Sequence, residues 1–181
     1  MDAKWVGAVV VTVAVVLALV AWALLSKARR RRELKDRFGS EYDRTVSDAD
    51  RRRDAELDLR ERADRRDELD IRDLSPAARE RYLGEWHDVQ AHFVDDPAMA
   101  TNEADSLIAR VMRDRGYPVD DFDTRADMVS TDAPERVRQY RGAHDVWERH
   151  QHGDATTEDL RGAMVLYRSV FDELVGSTPA R

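Results

Sequence analysis

The feature that most constrains this chain is the run WVGAVVVTVAVVLALVAWALL at residues 5–25. It contains no charged side chain and a single hydroxyl, Thr12. At about 1.5 Å per residue, 21 residues form a helix about 31 Å long, matching a hydrocarbon core of about 30 Å. Five cations follow within six residues: Lys27, Arg29, Arg30, Arg31 and Arg32. The pattern predicts a transmembrane helix over residues 5–25, preceded by a short tail at 1–4.

A secretory signal peptide is the rival interpretation. Its apolar stretch would be shorter and would end in a small-x-small cleavage site. This run ends instead in Trp22, Leu24 and Leu25, and the arginine cluster behaves as a stop to transfer. An uncleaved anchor is expected. The excess of cations on the carboxyl side places that side in the cytoplasm and the amino terminus outside, giving a single-pass protein of the cell membrane. Trp5 and Trp22 are spaced to sit near the two interfaces. Lys27, Arg29, Arg30, Arg31 and Arg32 are candidate contacts for anionic lipid head groups, as well as topology signals. Ala14 and Ala18 give only a weak small-xxx-small signal for dimerisation through the span.

The chain has no cysteine, which excludes disulfides, thiolate nucleophiles and cysteine-ligated metal sites. Its net charge of -7 is unevenly spread. Residues 1–74 hold 17 basic and 16 acidic side chains, and residues 75–181 hold 13 and 21. A distal part of that sign is not a general nucleic-acid binder, and it should stand off from an anionic membrane.

Residues 26–74 read as a basic juxtamembrane segment and a charged helical linker. Gly39 breaks the helix and Ser40 is placed to cap the next, with Tyr42, Val46 and Ala49 at helical spacing. Beyond them Glu56 and Arg60, Asp58 and Arg62, Glu61 and Arg65, and Glu68 and Arg72 are acid-before-base pairs at i,i+4. Leu57, Leu59, Leu69 and Ile71 do not supply coiled-coil heptads. A solvated spacer is expected, holding the distal domain a few tens of ångströms from the bilayer.

From residue 75 to 176 apolar residues return at helical period. Ser75-Pro76 and Asp96-Pro97 are helix starts. Tyr82, Trp86, Val89 and Phe93 line one face; Ala104, Leu107, Ile108, Val111 and Met112 line a second, closed by Gly116. Asp120 or Asp121 can cap a short helix carrying Phe122, Ala126 and Met128. Asp132 with Pro134 starts another, with Val137, Tyr140, His144 and Trp147. Thr156 and Asp159 have capping-box spacing, and Leu160, Met164, Tyr167, Phe171 and Leu174 follow. With no alternating β-branched run, this is a small acidic helical bundle with a tail at 177–181. Nine aromatics on or beside the stripes, including Tyr82, Trp86 and Phe171, read as core.

No catalytic signature emerges. His87 and His92 fall on different helix faces, His150 and His152 sit at a helix end, and His144 reads as a hydrogen-bonded core residue. There is no HExxH motif. Asp120, Asp121, Asp123 and Asp127 lack the glycine and closing glutamate of a calcium loop. No catalytic, cofactor or metal residue is therefore assigned.

The segments RFGSEYDRTV (37–46), LDIRDLS (69–75), FVDDPAMATNEAD (93–105) and VMRDRGYPVDDFDTRADMVS (111–130) resemble a family of uncharacterised single-pass membrane proteins from high-GC, actinobacteria-like bacteria. Such proteins are labelled only "secreted" or "membrane". The resemblance implies the same architecture and brings no activity, ligand or site residue.

The expectation is an all-α chain: an N-terminal transmembrane helix, a charged helical spacer and a C-terminal bundle. Its function would be that of a membrane-tethered interaction or scaffold module meeting an unknown protein partner or a second copy. Grooves rimmed by Trp86, Tyr117 or Trp147 are the candidate surface. One alternative is a small-ligand sensor or enzyme with a pocket around Tyr117, Asp121 and His144. Another is an exported envelope or stress protein with cleaved or inverted topology.

Overall fold

A computed structural model of the chain describes residues 3–176, with side chains from Val15 onward. Among the described residues there are eight α-helices and no strand: α1 (Ala3–Phe38), α2 (Ser40–Asp48), α3 (Arg52–Asp67), α4 (Pro76–His92), α5 (Pro97–Arg115), α6 (Phe122–Asp132), α7 (Pro134–Gln151) and α8 (Thr157–Gly176). The expected tail at 177–181 and the first two residues of the tail at 1–4 lie outside the described residues. So do the side chains of residues 3–14, including Trp5, Thr12 and Ala14. Among the described residues no helix is long and apolar enough to cross a membrane.

Local chemistry sets the starts of α4, α5, α6 and α8 and the end of α5. Ser75 Oγ accepts the Ala78 amide at 3.1 Å, Asp96 Oδ1 that of Met99 at 2.9 Å, and Asp121 Oδ1 that of Thr124 at 2.7 Å. Thr156 and Asp159 close their box in both directions, the Thr156 amide donating to Asp159 at 2.8 Å and the Asp159 amide to Thr156 at 3.2 Å. Each such cap contributes about 1 kcal/mol. Gly116 ends α5 at φ 98°. A Cβ there would lie 2.7 Å from the Asp70 carbonyl oxygen, so both the conformation and the close backbone approach require glycine.

Two expected caps differ. Gly39, at φ 49°, takes the cap position of α2, and Ser40 lies inside the helix with its hydroxyl buried and unpartnered. Asp132 does not cap α7, whose cap residue Ala133 offers no side-chain bond. Its carboxylate instead accepts from Tyr117 Oη at 2.5 Å and Arg66 Nε at 2.6 Å. Tertiary partners with full charge or a buried hydroxyl outcompete the local amide.

α4, α5, α7 and α8 form the bundle, with α6 against α7. The stripes read from the sequence meet in one core containing Trp86, Leu107, Ile108, Met112, Val137, Tyr140, Tyr167 and Phe171. Trp86 and Phe171 stack with centroids 4.7 Å apart, an aromatic pair that adds about 0.5–1.5 kcal/mol beyond area burial. Phe93, Phe122 and Leu69, Ile71 and Leu74 of the 68–75 crossing cover its edges. That crossing is fastened by Arg115, which is buried. Its Nε donates to the Arg72 carbonyl at 3.2 Å and its Nη1 to the Leu174 carbonyl at 2.7 Å, while the Arg72 amide donates back to the Arg115 carbonyl at 2.9 Å.

A second, separate core joins the charged segment to the carboxyl half of α1: Leu34, Phe38, Tyr42, Leu59 and Ala63, with Val46 beside them. After the Gly39 break α2 folds back beside α1, bringing Arg31 Nε within 3.1 Å of Tyr42 Oη. α3 then runs alongside α1 in the same direction, since Arg31 meets Glu56 at 3.9 Å and Arg37 meets Asp67 at 2.7 Å.

This corrects the expectation of a solvated spacer in residues 26–74, because α2 packs on α7 and α3 on α6. Of the four expected i,i+4 pairs only Asp58–Arg62 forms, at 2.6 Å, among the described residues. Arg62 and Arg66 reach across to Asp127 and Asp132, each at 2.6 Å. Glu56 turns inward to accept from Tyr42 Oη at 2.9 Å, and Glu68 already caps the end of α3. Charges that read as a self-paired solvated surface are the glue between helices.

Candidate functional site

From Val15 to Leu25 the large side chains of α1 are exposed on all sides; Leu17, Leu19, Leu24 and Leu25 are each more than half accessible and Trp22 is 68% accessible. Among the described residues only the start of α3 comes beside them, at Trp22, Ala23 and Leu24, and it leaves them open. Nine residues further on, Leu34 is buried in the second core. One continuous helix thus passes from an unclothed apolar surface through a basic collar into protein.

At that collar lies a groove of about 750 Å³ between α1 and the start of α3. Trp22, Ala23, Leu24 and Leu57 form apolar walls, and Lys27, Arg30, Arg31, Arg52, Arg53 and Arg60 line it against one carboxylate, Glu56. Of the residues expected at this position, Lys27, Arg30 and Arg31 face the groove; Arg29 and Arg32 are exposed outside its lining. Arg52, Arg53 and Arg60 were not anticipated. They are remote in sequence, and only the parallel course of α1 and α3 brings them in. The signal available was the triplet Arg51-Arg52-Arg53, a second basic cluster that the i,i+4 pairs leave without a partner, while Arg60 reads as the partner of Glu56.

A charged joint fixes α2 and α3 to the bundle. Glu41 is 1% accessible and accepts from Arg44 Nε at 3.0 Å, Arg44 Nη2 at 3.1 Å and Arg141 Nη1 at 2.7 Å. Burial alone would raise its pKa, but the hydrogen bonds from Arg44 and Arg141 outweigh it and hold the carboxyl below the ordinary glutamate value. Its neighbour Asp127 behaves oppositely. Burial raises its pKa, and the Arg62 and Arg141 charges do not offset this. Arg62 Nη1 approaches Asp127 Oδ1 to 2.6 Å without hydrogen-bond alignment, so the contact is only partly compensating. Inside the bundle Arg125 makes a similar bridge, donating to Tyr140 Oη at 2.8 Å and Asp105 at 2.7 Å.

The aromatic candidates separate. Trp86 is 1% and Tyr117 6% accessible, so neither can rim an interaction groove: Trp86 stacks in the core and Tyr117 is bound to Asp132. Trp86 is inside because its stripe on α4 faces other stripes, whereas Tyr117, in the loop after the Gly116 cap, is drawn in by the core and by Asp132. Trp147 is half-buried, stacked with His150, and keeps an accessible edge on α7.

Tyr117, Asp121 and His144 are engaged separately. Tyr117 binds Asp132, Asp121 caps α6, and the His144 ring lies flat on Phe122 at 3.6 Å. His144 is not fully buried, and its Nδ1 has no hydrogen-bond partner, unlike the bonded core histidine expected. His92 faces Glu103 at 3.0 Å on the surface. Among the described residues no three histidines or carboxylates converge as a metal site.

Comparison with known proteins brings no match: no family model fits the chain, and neither a curated protein nor a solved structure is significantly similar to it.

Proposed function

We propose that this chain is a membrane-tethered helical module. The apolar run at 5–25 anchors it, and the bundle of α4–α8 meets a protein partner or a second copy on the cytoplasmic side. The observation that carries this reading is the uncovered apolar surface of α1 up to Leu25, joined through a basic collar to a tightly packed end at Phe38. A helix on a protein surface is apolar on one stripe, and one apolar all round is enclosed either by protein or by lipid; uncovered by protein, this one calls for a hydrocarbon solvent. The cations at 27–32 orient the chain inward.

The tether does not hold the bundle on a free spacer. α2 and α3 clamp it to the end of α1. With Trp86 and Tyr117 inside, the outer face of α7 around Trp147 is the first contact surface to test.

The test uses the full chain in its native type of membrane. It is expected to stay with the bilayer after an alkaline wash, and reporters fused after Arg32 and at the carboxyl end are expected to be active only inside. Release by alkali sinks the anchor; outside activity sinks the orientation. Self-association or partner proximity labelling should fall on Trp147→Ala. A strictly monomeric chain with no partner that responds to this substitution removes the interaction module.

A further inference from the structure

We infer that the groove between α1 and α3 is a headgroup site that takes one anionic phospholipid of the surrounding leaflet. The inference rests on the membrane reading above and names what the collar binds there. Four observations carry it.

The first is charge. Six cations face one carboxylate in the groove lining, and that carboxylate is already engaged by Tyr42 Oη at 2.9 Å and by Arg31. The second is that Lys27, Arg30, Arg52, Arg53 and Arg60 have no ion pair or hydrogen-bonded carboxylate among the described residues. Elsewhere arginines such as Arg37, Arg66, Arg125 and Arg141 are paired. The one local candidate, Glu56, is turned away from Arg60 by its inward bond. Like charges held together without a counter-charge are a standing repulsion that an anion relieves.

The third observation is position. Arg31 is opposite Glu56. Arg52 and Arg53 precede Glu56 by four and three residues, about 5–6 Å along α3, which sets them level with Lys27 and Ala28 on the parallel α1. That level is within one turn of Leu25, where the apolar surface of α1 ends. The fold thus lifts a second basic pair to the water–hydrocarbon boundary. No side chain caps the amino terminus of α3, so its helix dipole adds to the positive field there, partly offset by Asp54 in the same turn. The fourth is shape. The groove is amphipathic, with Trp22, Leu24 and Leu57 on its walls, which suits a phosphate with its glycerol and first methylenes. A nucleic acid would have no use for that apolar rim.

The test is relative lipid affinity measured at the groove. The chain has no cysteine, so Leu57→Cys gives a unique labelling position on the groove wall for a fluorophore. The labelled full chain is placed in phosphatidylcholine nanodiscs containing brominated phosphatidylglycerol or brominated phosphatidylcholine, and quenching gives the binding ratio of the two lipids. A preference for phosphatidylglycerol of at least about fivefold is expected, the scale set by a single basic residue at an anionic surface. Arg52→Gln, Arg53→Gln and Arg60→Gln together should bring the ratio to near one, and the same three positions as lysine should retain most of it. Each single glutamine variant should lower the ratio measurably, which covers the case of a triple variant that fails to fold. A ratio of one in the parent, or a preference undiminished in the glutamine variants, overturns the site. If that happens in a chain that resists alkaline extraction, the tether stands and the headgroup site alone falls. Release by alkali brings down both.

Discussion

Replacing Glu41 by glutamine removes a charge that is 1% accessible and contacted by three guanidinium groups. Their alternatives differ. Arg44 retains Asp48 at 3.0 Å and is well exposed, so its loss is that of a surface pair, about 0–1 kcal/mol. Arg62 retains Asp58 and Asp127 at 2.6 Å each. Arg141 is left with Asp127 at 3.9 Å only, so the loss falls mainly there. Breaking a fully buried pair costs about 3–5 kcal/mol, and the partial exposure of Arg141 scales this to about 2–3 kcal/mol. Because the two apolar cores are separate, the loss should appear as undocking rather than global unfolding. Amide hydrogen exchange of the full chain should show protection in α2 and the facing turn of α7 falling about 30- to 150-fold, with α4, α5 and α8 unchanged. Uniform loss across all helices would show that the joint is part of one cooperative core. Unchanged protection in α2 would show that Glu41 holds nothing.

Other expectations follow from the same geometry. Glu41 has a lowered pKa, so its contribution to docking is present above the ordinary value of 4.5 and is lost as pH falls through its lower folded value; exchange in α2 should rise on acidification below that point. Asp127, with a raised pKa, favours the folded form most at low pH and loses that contribution as pH climbs through its folded value, so Asp127→Asn should destabilise less than Glu41→Gln in denaturant titrations at neutral pH. Gly116→Ala should cost about 2 kcal/mol or more, since a left-handed residue and a backbone clash at 2.7 Å coincide, whereas Gly84→Ala on the open face of α4 should stabilise by about 0.5–1 kcal/mol. Equal thermal shifts for the two would contradict this. Arg115→Lys should lower the denaturation midpoint by about 1–3 kcal/mol of stability, because an ammonium cannot serve both the Arg72 and Leu174 carbonyls; a neutral result would refute the clamp.

The bundle was legible because its signals are local. Ser75, Asp96, Asp121 and the Thr156–Asp159 box work through amides three residues away, Gly116 works through its own left-handed backbone, and the stripes of α5 and α8 repeat at the helical period. Asp132 and Ser40 show where that logic stops. Asp132 had both a nearby amide and distant donors, and nothing in the sequence near it announces Tyr117 or Arg66. The same holds for the groove and the joint. In α3 the buried apolar residues Ala55, Leu59 and Ala63 do repeat at i,i+4 on one face, but two of the three are alanines set among charges, so the stripe is too thin to announce a docking face. An arginine four residues from a glutamate looks self-sufficient until a tyrosine such as Tyr42 claims the carboxylate.

The separation of the two cores has a consequence for tethering. Apolar packing tolerates sliding and repacking, but ion pairs between buried or half-buried groups work only within a narrow range of distance and angle. The joint uses Glu41, Asp127 and Asp132 in three ion pairs across two helix contacts, α2 with α7 and α3 with α6, with Arg141, Arg62 and Arg66 as their partners. Such a joint fixes orientation more firmly than its modest net energy suggests. From Leu25 to Phe38, α1 advances about 20 Å as an unbroken helix. Under the tethering proposal the bundle therefore sits at a set height and rotation below the bilayer, with Trp147 presented in one direction. A flexible linker of the same length would leave both free. Disrupting Glu41 should convert the first arrangement into the second while leaving the anchor and the bundle intact, so partner engagement that survives Glu41→Gln would mean that the partner reads the bundle alone and not its orientation.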